Sequence, residues 1–216
     1  MKKGGRYYIP DLPEAQFEPG SNEQVLKNRL NIKSSKVMDD VEARALERAM
    51  VGLVGKYSER HRFTAVNIRE IHKNWLGDIY EWAGEYRQVN VSKGEFPFAA
   101  AVRVPSLMEE FEREVLARYT PCNSKNRADI IRALAETHAE LVLIHPFREG
   151  NGRIARTLAT IMATQAGLPL LDFSCLKGKK RDEYFAAVRA GIDRDYKPMS
   201  GIFDTVVKKT LNAYRR

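Results

Sequence analysis

The chain has 216 residues, 44% hydrophobic and 30% charged, with 36 Lys and Arg against 28 Asp and Glu for a net charge of +8. That balance supplies both a core and a solvated surface, which excludes a disordered chain, and the length suits one large domain or two small ones. No apolar run approaches the roughly 20 residues of a membrane span. The first twenty residues lack the apolar centre of a signal peptide. Cys122 and Cys175 form no CxxC pair, so neither a zinc nor a redox motif is indicated, and they read as reduced cysteines of an intracellular protein. The basic excess includes Lys177-Gly178-Lys179-Lys180-Arg181. With no aromatic residues interleaved in that block, it reads as a solvated face that attracts nucleotide phosphates rather than as a nucleic-acid surface.

Residues 1–20, with Pro10, Pro13, Pro19 and several glycines, predict an extended arm. The capping-box spacing of Ser21 and Gln24 then predicts the opening of a helix. From about Lys36 to Val54, a stripe of Val37, Val41, Leu46, Met50 and Leu53 predicts a second helix. Another is predicted over Ile68, Ile71, Trp75, Leu76 and Ile79, ending near Ala83-Gly84. Apolar and polar residues alternate through Tyr86-Arg87-Gln88-Val89-Asn90-Val91. Ser92-Lys93-Gly94-Glu95 follows as a turn and Phe96-Pro97-Phe98 as a second arm, so 86–98 predicts a hairpin. Pro97 cannot donate to a ladder, which predicts an edge or irregular second arm. Helical spacing resumes with Leu107, Phe111 and Leu116, then Ile130, Ile131, Leu134, Leu141 and Val142. A further helix carries Ile154, Leu158, Ile161 and Met162, stopped by Gly167 and Pro169. Two last helices run from about Lys180 to Ile192 and from Pro198 to Tyr214. With no repeat and no clear linker, the reading is one mostly helical domain with a single small hairpin.

The chemistry is concentrated in His145-Pro146-Phe147-Arg148-Glu149-Gly150-Asn151-Gly152-Arg153-Ile154-Ala155-Arg156. Pro146 ends the preceding helix and leaves His145 at the mouth of a loop. Gly150-Asn151-Gly152 tolerates positive φ and predicts a nest of inward N–H groups. The positive end of the next helix adds to that nest. Arg153 and Arg156, three apart, share a face where the helix dipole does not favour cations, so an anion is their natural partner. Glu149 can hold a divalent cation against phosphate oxygens. His145 titrates near neutrality and can take a proton from an attacking hydroxyl. Taken alone, a histidine before proline is a cap, Gly-Asn-Gly a turn and an arginine pair a solvated face; their union in twelve residues predicts a polyphosphate cradle with a base beside it. A zinc site on His138 and His145 lacks further ligands, and no Gly-Lys-Ser/Thr phosphate loop is present.

This segment resembles the signature of the Fic family, His-Pro-Phe-x-Asp/Glu-Gly-Asn-Gly-Arg-x-x-Arg, at every specified position. Ile79-Tyr80-Glu81-Trp82-Ala83-Gly84-Glu85-Tyr86-Arg87 resembles the approach to that family's flap. Phe17-Glu18-Pro19-Gly20 through Val25-Leu26-Lys27-Asn28 resembles the arm of bacterial cell filamentation proteins. The resemblance implies an all-α bundle with one β-hairpin flap, in a single domain over residues 1–216. The implied reaction is transfer of AMP from ATP to a Ser, Thr or Tyr hydroxyl of a target protein, releasing pyrophosphate. On this resemblance His145 is the base and Glu149 holds Mg2+. Phe147, Arg148, Glu149, Gly150, Asn151, Gly152, Arg153 and Arg156 form the nucleotide site. Within it Arg153 takes the β-phosphate, Arg156 takes the γ-phosphate, and Phe147 anchors the loop in the core. Lys93, Gly94, Glu95, Phe96, Pro97 and Phe98 form a flap that docks the target by strand pairing.

Gly152 favours nucleotidyl transfer over the phosphorylation of death-on-curing relatives. The alternatives are transfer of a different phosphate-containing group, or a nucleotide-binding regulator without turnover, which would not need His145. Many family members are silenced by a glutamate in Ser/Thr-x-x-x-Glu-Gly/Asn. The nearest matches here, Ser35 to Asp39 and Ser200 to Asp204, carry aspartate. An internal inhibitor is therefore not expected, and a separate small helical antitoxin is the implied partner. Neither nucleic acid nor membrane is an expected partner. The expected location is the cytoplasm, or a host cell reached by a route without an N-terminal signal.

Overall fold

The computed structural model describes residues 12–176 and 178–214. The start of the predicted arm, residues 1–11, and Lys177 of the basic block lie outside the described residues. The helices are α1 (Ser35–Lys56), α2 (Ala65–Leu76), α3 (Val104–Phe111), α4 (Ala117–Tyr119), α5 (Arg127–Ile144), α6 (Asn151–Gln165), α7 (Lys179–Ala190) and α8 (Lys197–Tyr214). A π-helical turn, Glu112–Leu116, joins α3 to α4. Strands β1 (Ser92–Lys93) and β2 (Phe96–Pro97) pair antiparallel, with Ser92 opposite Pro97 and Lys93 opposite Phe96. The fold is all-α with one small hairpin. No described helix is long and apolar enough to cross a membrane.

The helix starts follow side-chain chemistry. Thr64 and Asn67 form a reciprocal capping box at α2, and Asn126 Oδ1 accepts the Ala128 N–H at 2.8 Å at α5, each satisfying donors that a first turn leaves unpaired. Helices α5 and α6 bury residues all round, from Ile130 and Leu134 to Leu141 and from Ile154 to Met162, the pattern of central helices. They pack on each other, with α8, α7 and α3 against α5 and with α1 and α2 against α6. The junction between α5 and α6 is therefore held at the middle of the core.

Four expectations are corrected. No helix opens at Ser21: Asn22 and Glu23 have positive φ, Ser21 Oγ donates to the Val25 carbonyl, and Phe17 bridges Leu26, so the segment doubles back as a loop. Helix α1 forms, but its inner line is Met38, Glu42, Ala45, Ala49 and Leu53, while Val37 is 47% exposed. A glutamate and two alanines do not announce a core face. Helix α2 stops at Leu76, and Ile79 and Tyr80 both donate to the Leu76 carbonyl as the chain turns. The hairpin is confined to residues 92–97, because Arg87, a polar position in the alternation, is buried at 1% exposure and its guanidinium binds main-chain carbonyls on both sides of the hairpin.

Burial pushes His72 down to about 4 and His138 down to about 3 from an ordinary 6.5. The unfolded chain therefore binds more protons below about pH 6.5 than the fold does. Stability is fully present above that pH and is lost as pH falls toward about 4 for His72 and about 3 for His138. At pH 5 the expected loss is about 2 kcal/mol for each histidine. Urea midpoints at pH 7.5 and pH 5 check this, and an unchanged midpoint would contradict it.

Candidate active site

Helix α5 ends at Ile144, and His145 caps it in the left-handed region, φ 54° and ψ 59°. A β-carbon makes that conformation unfavourable by about 1–2 kcal/mol, so the surroundings must hold it. The Arg87 Nε–H donates to the His145 carbonyl at 2.6 Å, and the Arg87 main-chain N–H donates to the Pro146 carbonyl at 2.9 Å. The loop is then stapled across its width by Asn151, whose Oδ1 accepts the Phe147 N–H and whose amide donates to the Phe147 carbonyl, both at 2.8 Å.

His72, which the sequence reading did not single out, supports this loop from below. Its Nδ1 accepts the Gly84 N–H at 2.8 Å, so the proton sits on Nε2, which donates to the Glu149 carbonyl at 3.1 Å. Its ring stacks on Phe147 at 3.9 Å. Phe147 is fully buried and does not line the nucleotide-sized cavity, so it belongs to the core rather than to the nucleotide contacts.

The expected nest is narrower than the Gly-Asn-Gly run implied. Only Gly150 has positive φ, at 84°; Asn151 and Gly152 already belong to α6. The donors facing the loop are the unpaired first N–H groups of α6, backed by its dipole. Glycine at 150 is needed twice, for its φ and because an added β-carbon would lie 2.7 Å from the Trp75 ring.

At His145, Nδ1 lies 3.0 Å from the Val142 carbonyl. A carbonyl only accepts, so Nδ1 carries the proton and Nε2 keeps a free lone pair. Phe98 stacks on the imidazole at 3.5 Å, and Phe96 meets Phe98 edge-on. Burial first, then the Arg87 charge, push His145 down to about 4, against the opposing Val142 hydrogen bond. The ring is neutral at pH 7.

A cavity of about 750 Å³ opens in front of it. Its walls include Lys93, Phe96 and Phe98 of the flap, the loop residues His145, Arg148, Glu149 and Gly150, and Asn151, Gly152, Arg153 and Arg156 of α6. Gly94, Glu95 and Pro97 are exposed and lie outside this lining. A further part of the lining was not legible in the sequence: Leu176, then Arg181, Asp182, Tyr184, Phe185, Val188 and Arg189 of α7, among which Tyr184, Phe185 and Val188 offer apolar surface suited to a planar base. Lys93 Nζ sits 4.0 Å over the Phe185 ring, so the flap touches α7 across the cavity mouth. Nothing in the spacing of α7 separates these residues from ordinary core aromatics.

The charged groups are unevenly satisfied. Glu149 Oε1 accepts the Gly150 N–H at 2.8 Å and pairs with Arg153 Nη2 at 3.1 Å, with its side chain 46% exposed. Arg153 is also paired with buried Glu42 at 2.5 Å. Among the described residues the Arg156 guanidinium has no ion-pair or hydrogen-bond partner, and burial lowers its pKa. Asp39 is exposed, and Asp204 is committed to Arg127 at 2.8 Å and Lys208 at 2.6 Å.

The Fic/DOC family model matches residues 62–163. The probable protein adenylyltransferase y4lH of Sinorhizobium fredii is 31% identical, over 75% of this chain and 81% of its own length. The protein adenylyltransferase VbhT of Bartonella schoenbuchensis is 31% identical over 88% of this chain, which spans 38% of that relative's length. Among solved structures, the BepC effector of Bartonella tribocorum with bound AMPPNP superposes with a TM-score of 0.72, covering 91% of this chain and 97% of that one; at 19% identity the likeness is one of fold. The chain belongs to the Fic/DOC family.

The two motif glycines should respond differently to alanine. Gly150→Ala must strain φ and displace Trp75, and is expected to destabilise the fold by about 2–3 kcal/mol. Gly152→Ala meets only the tip of Arg156, at 3.7 Å, and should melt within a degree or two of the parent while weakening nucleotide binding. Thermal melts check the contrast; equal shifts would contradict it.

Proposed function

We propose that this protein is a protein adenylyltransferase, moving AMP from ATP to a hydroxyl side chain of a target protein. The observation that carries the reading is the pairing of a neutral His145, with Nε2 free, and a helix N-terminus flanked by Arg153 and Arg156. The first is a base; the second is a polyphosphate site. The family's relatives named as adenylyltransferases support the same reading.

In this mechanism the adenine lies against Tyr184, Phe185 and Val188, and the phosphates run over the start of α6. The target oxygen attacks the α-phosphorus while His145 Nε2 takes its proton. A new O–P bond forms, the bond from the α-phosphorus to the bridging oxygen breaks, and pyrophosphate departs with that electron pair. Arg153 and Arg156 stabilise the departing charge, and the α6 N–H groups hold the α-phosphate, so catalysis is by positioning and electrostatics. Glu149 is the residue that would hold magnesium, which would offset phosphate charge when bound. A half-exposed carboxylate that can turn from Arg153 suits a metal needing only one or two carboxylates. The flap registers the target by backbone pairing at its edge, where Pro97 offers a carbonyl but no donor.

A separate helical antitoxin is the proposed regulator. An apolar groove of about 890 Å³ between α1 and α6, bordered by Met50, Val51, Leu170 and Tyr214, opens beside the unpaired Arg156. A helix seated there could bring a carboxylate to that guanidinium and displace a γ-phosphate. The site of action is a bacterial cytoplasm or a host cell; the BepC relative in fold is described as a VirB-translocated effector.

His145→Ala should reduce transfer at least about a thousandfold, within the range general-base catalysis supplies together with nucleophile alignment, while ATP still binds. Mass spectrometry of lysate treated with ATP and either form tests this; adenylated peptides appearing equally with both would overturn the assignment. The lowered His145 pKa gives a second check. At subsaturating ATP the rate should stay flat from pH 8 to pH 6, where an ordinary histidine would lose more than half its basic form.

A further inference from the structure

Glu42 lies on α1, a hundred residues before the motif in the chain, yet its carboxylate ends in the motif. It is 3% exposed. Its Oε2 meets Arg153 Nη2 at 2.5 Å, and its Oε1 accepts the Tyr80 hydroxyl at 2.7 Å. Its main-chain carbonyl accepts the Trp75 indole N–H at 2.9 Å. The Trp75 ring in turn lies 4.6 Å from the Arg153 guanidinium and abuts Gly150. One residue therefore fixes the guanidinium at its edge and, through the indole, from its face.

Arg153 has a second carboxylate, Glu149, and the two differ in kind. Glu42 is buried and locked by Tyr80, whereas Glu149 is 46% exposed and weaker in contact, at 3.1 Å. Both bonds fall on Nη2. Among the described residues Nε and Nη1 of Arg153 carry no hydrogen bond, which leaves donors for a ligand. An arriving phosphate can replace Glu149 without releasing the guanidinium, because Glu42 keeps hold of it.

We propose that Glu42 is a positioning residue, one that anchors Arg153 so that the guanidinium receives the outer phosphates of the nucleotide instead of collapsing onto Glu149. The inference rests on the nucleotide reading of the cavity but not on transfer. A charge-assisted bond to a locked carboxylate is stronger than one to an amide. With Glu42→Gln the side chain keeps its shape and still accepts from Arg153, but Glu149 becomes the only carboxylate on that guanidinium. A triphosphate must then break a tighter Arg153–Glu149 pair.

The test is calorimetric titration of purified protein with a non-hydrolysable ATP analogue and, separately, with AMP. Glu42→Gln is expected to bind the triphosphate about tenfold more weakly, a change of about 1.4 kcal/mol, and AMP within about twofold of the parent. A structural role alone would shift both ligands together or neither, and either result overturns the inference. So does tighter triphosphate binding, which would mean that Glu42 acts chiefly by repelling phosphate. Should Glu42→Gln fail to fold, Tyr80→Phe loosens the same carboxylate while keeping its charge. It should weaken the triphosphate alone, by a smaller factor, and an equal effect on AMP overturns the proposal. A parent protein that bound neither nucleotide would instead defeat the functional reading itself.

Discussion

Arg87 carries a charge into a position only 1% exposed, and its guanidinium is satisfied there by main-chain oxygens. It donates to the carbonyls of Val89, Ala99, Ile144 and His145. Val89 and Ala99 flank the hairpin; Ile144 and His145 end α5. The same group thus neutralises the negative end of a buried helix, holds His145 in the left-handed conformation, and fixes both feet of the flap to that histidine. Phe98 stacks on the imidazole as a consequence of that tie. Glu14 stands nearby as a countercharge and accepts the Gln88 N–H at 2.5 Å. Its carbonyl accepts from Arg148 at 2.9 Å. The segment before α1 is therefore part of the frame of the site.

Within this frame the two motif arginines have different electrostatic states. Arg153 is matched by two carboxylates and held against an indole. Arg156 is half-buried with no carboxylate partner among the described residues, a condition that invites an anion, since burial makes an unpaired charge costly. The first is a fixed point along which a polyphosphate can be laid, and the second adds an unmet charge beside it. The neutral His145 sits on the flap side of the same cavity. A nucleotide arriving there would bring negative charge, which raises the histidine's affinity for a proton.

The motif was legible because each of its residues is chemically specialised: a proline that stops α5, a glycine at φ 84°, and an amide that staples the loop. Its length set it apart from chance. The central helices were legible too, from their apolar spacing. What escaped was carried by residues whose burial contradicts their type. Glu42 faces the core of α1 but reads as solvent, and so it hid the true inner line of that helix. Arg87 reads as the polar half of an alternation, yet it is buried. His72 looked like any helical histidine, because its partners, Gly84 and Glu149, meet it only in three dimensions. The wall of α7 was missed for the opposite reason, since Tyr184 and Phe185 fit an ordinary core face. The Ser21 spacing misled because local capping chemistry lost to the bridge between Phe17 and Leu26.

The central claim is that the α-phosphate, and not the γ-phosphate, is the group transferred, with His145 as the base. The most direct measurement is parallel incubation of the protein and a bacterial lysate with ATP labelled at the α- or the γ-phosphate, followed by counting label on protein. Transfer of AMP with His145 as base predicts label on protein from α-labelled ATP, none from γ-labelled ATP, and loss of the α signal with His145→Ala. Label arriving from the γ position, dependent on the same histidine, would contradict it.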